Sequence, residues 1–166
     1  ELGRICGIET RATGSNWAFT PIVDLVRDWH NPGISVRGFG ADPDMVLAMS
    51  KEYFRGISES GIPCAMKHFP GDGDDERDPH IATSINGLSC EEWDATYGKV
   101  YRGMIDAGVR SLMPGHIMMP AYQRYFSPET RDEDLLPATL SKELLGDLLR
   151  GKLGFNGLIV TDASHM

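Results

Sequence analysis

Ile62-Pro63-Cys64-Ala65-Met66-Lys67-His68-Phe69, followed by the polar stretch from Pro70 to Gly87 and then by Ser89-Cys90-Glu91-Glu92, decides the fold. The first eight residues read as a short apolar strand, and the next stretch as a long loop rich in Gly and Asp. Ser89 with Glu92 is a capping box that opens a helix reaching about Ala107. Working outward, the same order recurs. Residues 17 to 24 read as a strand with Pro21 towards its end. Gly33 to Gly40 is loop. Asp42-Pro43 starts a helix in which Met45, Val46, Met49, Tyr53 and Ile57 recur at helical spacing until Gly61. Val109 to Met113 is a third strand, a Pro- and Met-bearing loop follows it, and a leucine-rich helix runs from Ser141 to about Lys152. Gly157 to Thr161 is a fourth strand.

Strands that alternate with helices pair in parallel through right-handed crossovers, because a parallel neighbour is reached only by a long connection that the helix supplies. The expected class is therefore α/β, with four βα units. The loops after the strands are much longer than those before them. Long loops in a compact domain are usually functional, so the site is expected at the C-terminal ends of the strands. Four units are half of an eight-fold barrel, which leaves an open sheet or part of a barrel. No linker, low-complexity segment or true repeat marks a second domain.

Composition excludes several partners. The 166 residues include 16 Lys+Arg against 24 Asp+Glu, a formal net charge of −8, with 41% hydrophobic residues. That is globular, and without a basic run it offers neither nucleic acid nor an anionic membrane surface a footprint. No apolar run approaches the length of a spanning helix. Cys6, Cys64 and Cys90 stand far apart and are odd in number, which fits reduced thiols better than a disulfide framework or a zinc site and leans towards a reducing, cytoplasmic compartment.

The strand exits carry the chemistry. Asp24 follows the first strand, Lys67 and His68 close the second, His116 follows the third, and Thr161-Asp162 closes the fourth. An unpaired charge at a sheet end is costly to desolvate, so four ionisable exits in register point to a pocket. Asp72, Asp74, Asp75 and Glu76 suggest a calcium loop, but the twelfth position from Asp72 is Thr83 and the spacing fails. Asp78 and His80, two apart in a loop read as extended, form a candidate proton shuttle, although His80 as a solvated imidazole and Asp78 as a turn residue before Pro79 fit equally simple readings. Asp162 fits a nucleophile, a general base, a metal ligand or a helix cap.

Taken together, these motifs resemble glycoside hydrolase family 3 in its barrel domain. Lys67-His68-Phe69-Pro70-Gly71 followed by Asp78-x-His80 is similar to the family's K-H-F-P-G-(H)-G…D-(S/T)-H signature. Gly154-Phe155-Asn156-Gly157-Leu158-Ile159-Val160-Thr161-Asp162 is similar to its nucleophile segment. Phe19 to Asp24, Asn31-Pro32 and Arg37 to Pro43 match further segments in the same order.

The resemblance implies a partial TIM (β/α)8 barrel, residues 1 to 166 being part of one catalytic domain whose chain extends beyond both ends. It implies a retaining exo-glycosidase that takes terminal β-linked N-acetylglucosamine, with Asp162 as nucleophile and His80, oriented by Asp78, as general acid/base. Asp24, Arg37, Lys67 and His68 would hydrogen-bond the sugar, and His116 would lie nearby. The histidine acid/base points to the N-acetylglucosaminidase branch, since the β-glucosidase branch takes a Glu from elsewhere. A neutral imidazole also admits phosphate as the second-step nucleophile. The scheme calls for no metal and no organic cofactor, and its partner is a carbohydrate, with missing segments or a second copy completing the barrel. A β-glucosidase of the same family and a non-catalytic sugar-binding fragment are the alternatives. Asp72 stands where many relatives have His, and Pro79 stands where they have Ser or Thr.

Overall fold

The computed structural model describes residues 1–164. Its elements are α1 (Leu2–Ala12), α2 (Pro43–Ser58), β1 (Ala65–Phe69), β2 (Ser84–Ile85), α3 (Cys90–Ala95), α4 (Tyr97–Asp106), β3 (Ser111–Pro114), β4 (Ile117–Met118), α5 (Pro120–Phe126), a 3-10 turn (Asp132–Asp134), α6 (Glu143–Lys152) and β5 (Leu158–Ile159). β1, β3 and β5 form one parallel sheet in that order. The neighbours follow chain order with no reversal, which is an arc of a (β/α) barrel and not the crossed order of a doubly wound sheet.

The first expected strand is present only in part. Residues 17–23 lie along β1, where Ala65 N donates to Ala18 O (2.9 Å), Lys67 N to Pro21 O (3.1 Å) and Val23 N to Lys67 O (2.8 Å). The pairing amounts to two isolated parallel bridges, because Pro21 has no N–H to give to the ladder. A two-stranded parallel sheet that the sequence reading did not anticipate joins β2 to β4. It ties the long loop after β1 to the loop after β3 above the strand ends. Peptide bonds Thr20–Pro21, Lys67–His68 and Phe69–Pro70 are cis.

Helix starts follow their caps. Asp42 accepts from Asp44 N and Met45 N, and the reciprocal Ser89–Glu92 box opens α3. The single helix expected from Ser89 to Ala107 is broken at Thr96, whose hydroxyl donates to Glu92 O (2.7 Å) and diverts a helical carbonyl. Trp93 and Tyr97, four residues apart, both point into the core, where Phe69, Trp93 and Tyr101 meet edge to face or stacked. α6 is wound with i to i+5 hydrogen bonds. None of the described helices is long and apolar enough to cross a membrane.

α1 has a weak sequence signal, because Gly3 and Gly7 lower helix propensity. Those glycines are what let it dock, since a Cβ at Gly3 would lie 2.2 Å from Tyr53 O and one at Gly7 2.9 Å from Ile57 O; from the other side, a Cβ at Gly56 of α2 would lie 2.6 Å from Arg4 N. Gly56→Ala is therefore expected to cost about 1–3 kcal/mol, read as a lower Tm by differential scanning calorimetry. An unchanged Tm would show that the two backbones separate at no cost.

Candidate active site

β1 delivers two consecutive side chains to one place. In a regular strand Lys67 and His68 would face opposite sides. The pairing with β3 slips between Lys67 and Phe69, a bulge that leaves both residues on the wall of a single cavity. The cavity holds about 490 Å3 including its open mouth, and its wall also carries Arg37, Asp72, His80, His116 and Asp162. Arg37, Lys67, His68, His80, His116 and Asp162, all expected at the site from sequence, thus converge. Asp78 stands behind His80, and Asp24 lies one layer beneath the wall.

Asp24 is fully buried, and its position follows from its contacts. Its carboxylate accepts from His68 N (3.2 and 3.1 Å), His68 Nδ1 (2.7 Å) and Asp72 N (2.8 Å). It grips His68 and the loop beyond, whereas the family resemblance implies a hydrogen bond to the sugar. The opposite ring nitrogen, Nε2 of His68, is 3.9 Å from Asp162 Oδ2. One imidazole therefore spans the gap between a buried carboxylate and the carboxylate facing the cavity.

Asp162 is aimed by its own turn and by His116. Ala163 N donates to Asp162 Oδ1 (2.8 Å). His116 Nε2 lies 3.0 Å from Ala163 O, so that nitrogen carries a proton and donates, while Nδ1 pairs with the Thr139 hydroxyl at 2.9 Å. His116 thus tethers the backbone just after Asp162. Half-buried Lys67 is held below the usual lysine range by desolvation and by Arg37 alongside, against the pull of Asp162 and Asp24.

The Asp78–His80 pair forms through a turn and not through extended backbone. Ile81 N and Ala82 N donate back to Asp78 O, with Pro79 at the corner. Asp78 Oδ1 accepts from His80 N (2.9 Å) and lies 2.7 Å from His80 Nδ1. These bonds hold the Asp78 carboxyl below its ordinary pKa. His80 is exposed, and Nδ1 is the ring nitrogen that faces Asp78.

The acidic loop has its own partners. Asp72 accepts from Asn31 Nδ2, Asp74 pairs with Arg27, and Asp75 pairs with Arg77 and accepts from Ile85 N. Among the described residues no group of three or more His, Cys, Asp or Glu is placed to hold a metal ion. Gly73, at φ +105°, is required where it stands: a Cβ there would lie 1.9 Å from Leu25 O, and its own carbonyl accepts from Asp28 N (2.8 Å). Asp72 is the cavity residue that spacing did not single out, since its neighbours in sequence are acidic for unrelated reasons. The three thiols are unpaired, and burial pushes that of Cys64 up to about 11.

Ionisable side chains grouped at the C-terminal ends of parallel strands lie where (β/α) barrels carry their sites. Residues 1–166 match the model of the glycosyl hydrolase family 3 N-terminal domain, and the chain belongs to that family. It is 52% identical over 162 residues to a β-N-acetylglucosaminidase/β-glucosidase of Cellulomonas fimi, covering 98% of this chain and 29% of the relative. Among solved structures it is similar to the β-glucoside phosphorylase BglX, with a TM-score of 0.97 and 44% identity over 99% of this chain and 29% of that one. A family 3 β-N-acetylglucosaminidase from Paenibacillus sp. str. FPU-7 gives a TM-score of 0.90 and 36% identity over 99% of this chain and 30% of that one. The chain spans less than a third of the length of each of these relatives.

Proposed function

We propose that the protein is a retaining exo-glycosidase that releases terminal β-linked N-acetylglucosamine, with residues 1–166 supplying the site-bearing arc of one catalytic barrel. The reading is carried by the Asp162 carboxylate sharing a single cavity with Lys67, His68 and Arg37, with the Asp78–His80 pair at its edge. Asp162 attacks the anomeric carbon as the glycosidic C–O bond breaks, and His80 gives its proton to the departing oxygen. The glycosyl ester so formed is opened by water, whose proton returns to His80. Lys67 and Arg37 donate to sugar hydroxyls, and the His68 ring faces Asp162. Asp24 anchors that ring and His116 anchors the backbone beside Asp162.

A second reading, in which phosphate replaces water in the second step and glucose replaces N-acetylglucosamine, is favoured by the similarity to a β-glucoside phosphorylase and by the histidine acid/base, which need not place a negative charge beside an anion. One assay on the full-length protein separates them. Chromogenic N-acetylglucosaminide and glucoside are turned over with and without inorganic phosphate, and sugar phosphate is measured by mass spectrometry. Preference for N-acetylglucosaminide with free sugar as product fits the first reading; preference for glucoside with sugar phosphate fits the second. No turnover of either aryl glycoside, with sugar still bound, would leave a carbohydrate-binding role instead.

A further inference from the structure

Asp72 is 4% exposed, yet it lies on the cavity wall. Its Oδ1 accepts from Asn31 Nδ2 (2.9 Å) and Gly73 N (2.7 Å). Its Oδ2 accepts nothing from the described residues. The carboxylate is held in place by its neighbours. Asn31, 1% exposed, also donates to Asp75 O (2.7 Å), and its own oxygen accepts from Gly33 N and Ile34 N. Asp72 N is tied to Asp24 and Asp72 O to the Tyr97 hydroxyl. An oxygen without a protein donor, on a residue that lines the cavity, is left to accept from whatever the cavity holds.

We infer that Asp72 Oδ2 is a specificity-determining acceptor for one hydroxyl of the bound sugar. This rests on the glycosidase reading and names what that reading leaves open, the group that demands a hydroxyl at one ring position and turns away an anionic or deoxy substituent there. Lys67 and Arg37 can only donate, so a hydroxyl that receives from one of them has its own proton to give to Asp72. The cost of keeping Asp72 ionised is visible: burial first, then Asp24, pushes it up to about 6, opposed by Gly73 N, Asn31 and His68. Arg37, Lys67, His80, His116 and Asp162 share the same wall. The charge-assisted bond is therefore present above pH 6 and weakens as the acid protonates below it.

The test uses full-length wild-type and Asp72→Asn protein, with N-acetylglucosamine, glucose and their 3-, 4- and 6-deoxy analogues as competitive inhibitors at pH 5 and 7.5. Asparagine keeps an oxygen for Asn31 and Gly73 but turns an N–H2 towards the sugar. The Ki of the parent sugar is expected to rise roughly ten- to a hundredfold at pH 7.5, by less at pH 5, and kcat by far less than Ki. For one deoxy analogue the two proteins should bind equally, a pattern that a merely structural role would not produce. An unchanged Ki, or an equal loss for every analogue, overturns the inference. Should the Asn variant lose its cooperative melt, Asp72→Ser serves in its place with the same readout. Wild-type protein that binds neither sugar overturns the glycosidase reading itself, a result seen before any variant is made.

Discussion

Asp162→Asn is expected to lower kcat by about 10^4-fold or more while leaving sugar affinity within a few-fold. The amide is isosteric, so its oxygen still accepts from Ala163 N and the turn is kept. Its oxygen is no nucleophile, and the glycosyl ester cannot form. Affinity holds because Lys67, Arg37 and the Asp24-anchored His68 are untouched. Turnover of a chromogenic glycoside and calorimetric titration with the free sugar read the two halves separately. Undiminished turnover would remove Asp162 from the nucleophile role, and a parallel loss of affinity would make it a binding group instead. Asp162→Gly with added azide extends the test: α-glycosyl azide should appear, since the small anion enters the vacated space on the face opposite the leaving group.

The second large effect concerns proton donation. His80→Ala is expected to slow cleavage of alkyl or sugar leaving groups by about 10^2- to 10^4-fold, with little change in the first step for an aryl group that departs as a stable anion. In the proposed mechanism His80 lends its proton only where the departing oxygen needs it. Rates across a series of aryl glycosides, plotted against leaving-group pKa, should steepen in the variant. A uniform loss would make His80 a contact and not an acid. Asp78→Asn should act through His80: it removes the ionised partner of Nδ1 that sits 2.7 Å away and leaves the turn through Pro79 in place.

Much of the site was legible because barrel chemistry occupies strand exits, and polar residues at the ends of apolar runs are conspicuous. Lys67, His68, His116 and Asp162 were found that way, and each lines the cavity. Asp24 was found by the same rule yet sits behind the wall, because a strand exit says where a residue leaves the sheet and not how deep its side chain goes. Asp72 was hidden in an acidic run whose members have unlike partners. Arg27 and Arg77 take its neighbours Asp74 and Asp75, leaving only Asp72 on the cavity. The helix at Leu2–Ala12 was missed for the opposite reason: its glycines are poor helix formers that pay off only against α2.

The alternation of the main strands and helices, the caps at Asp42 and Ser89 and the polar residues at the strand ends were determined by the sequence alone, because hydrophobic period, capping chemistry and turn residues act over a few neighbours. Only the tertiary structure decided that a bulge turns Lys67 and His68 to the same side, that His68 bridges Asp24 and Asp162, and that His116 holds the carbonyl of Ala163. Those contacts join residues 44 to 94 positions apart in the chain, and no local pattern encodes them. They exist because parallel strands brought into register place their exits side by side around one cavity.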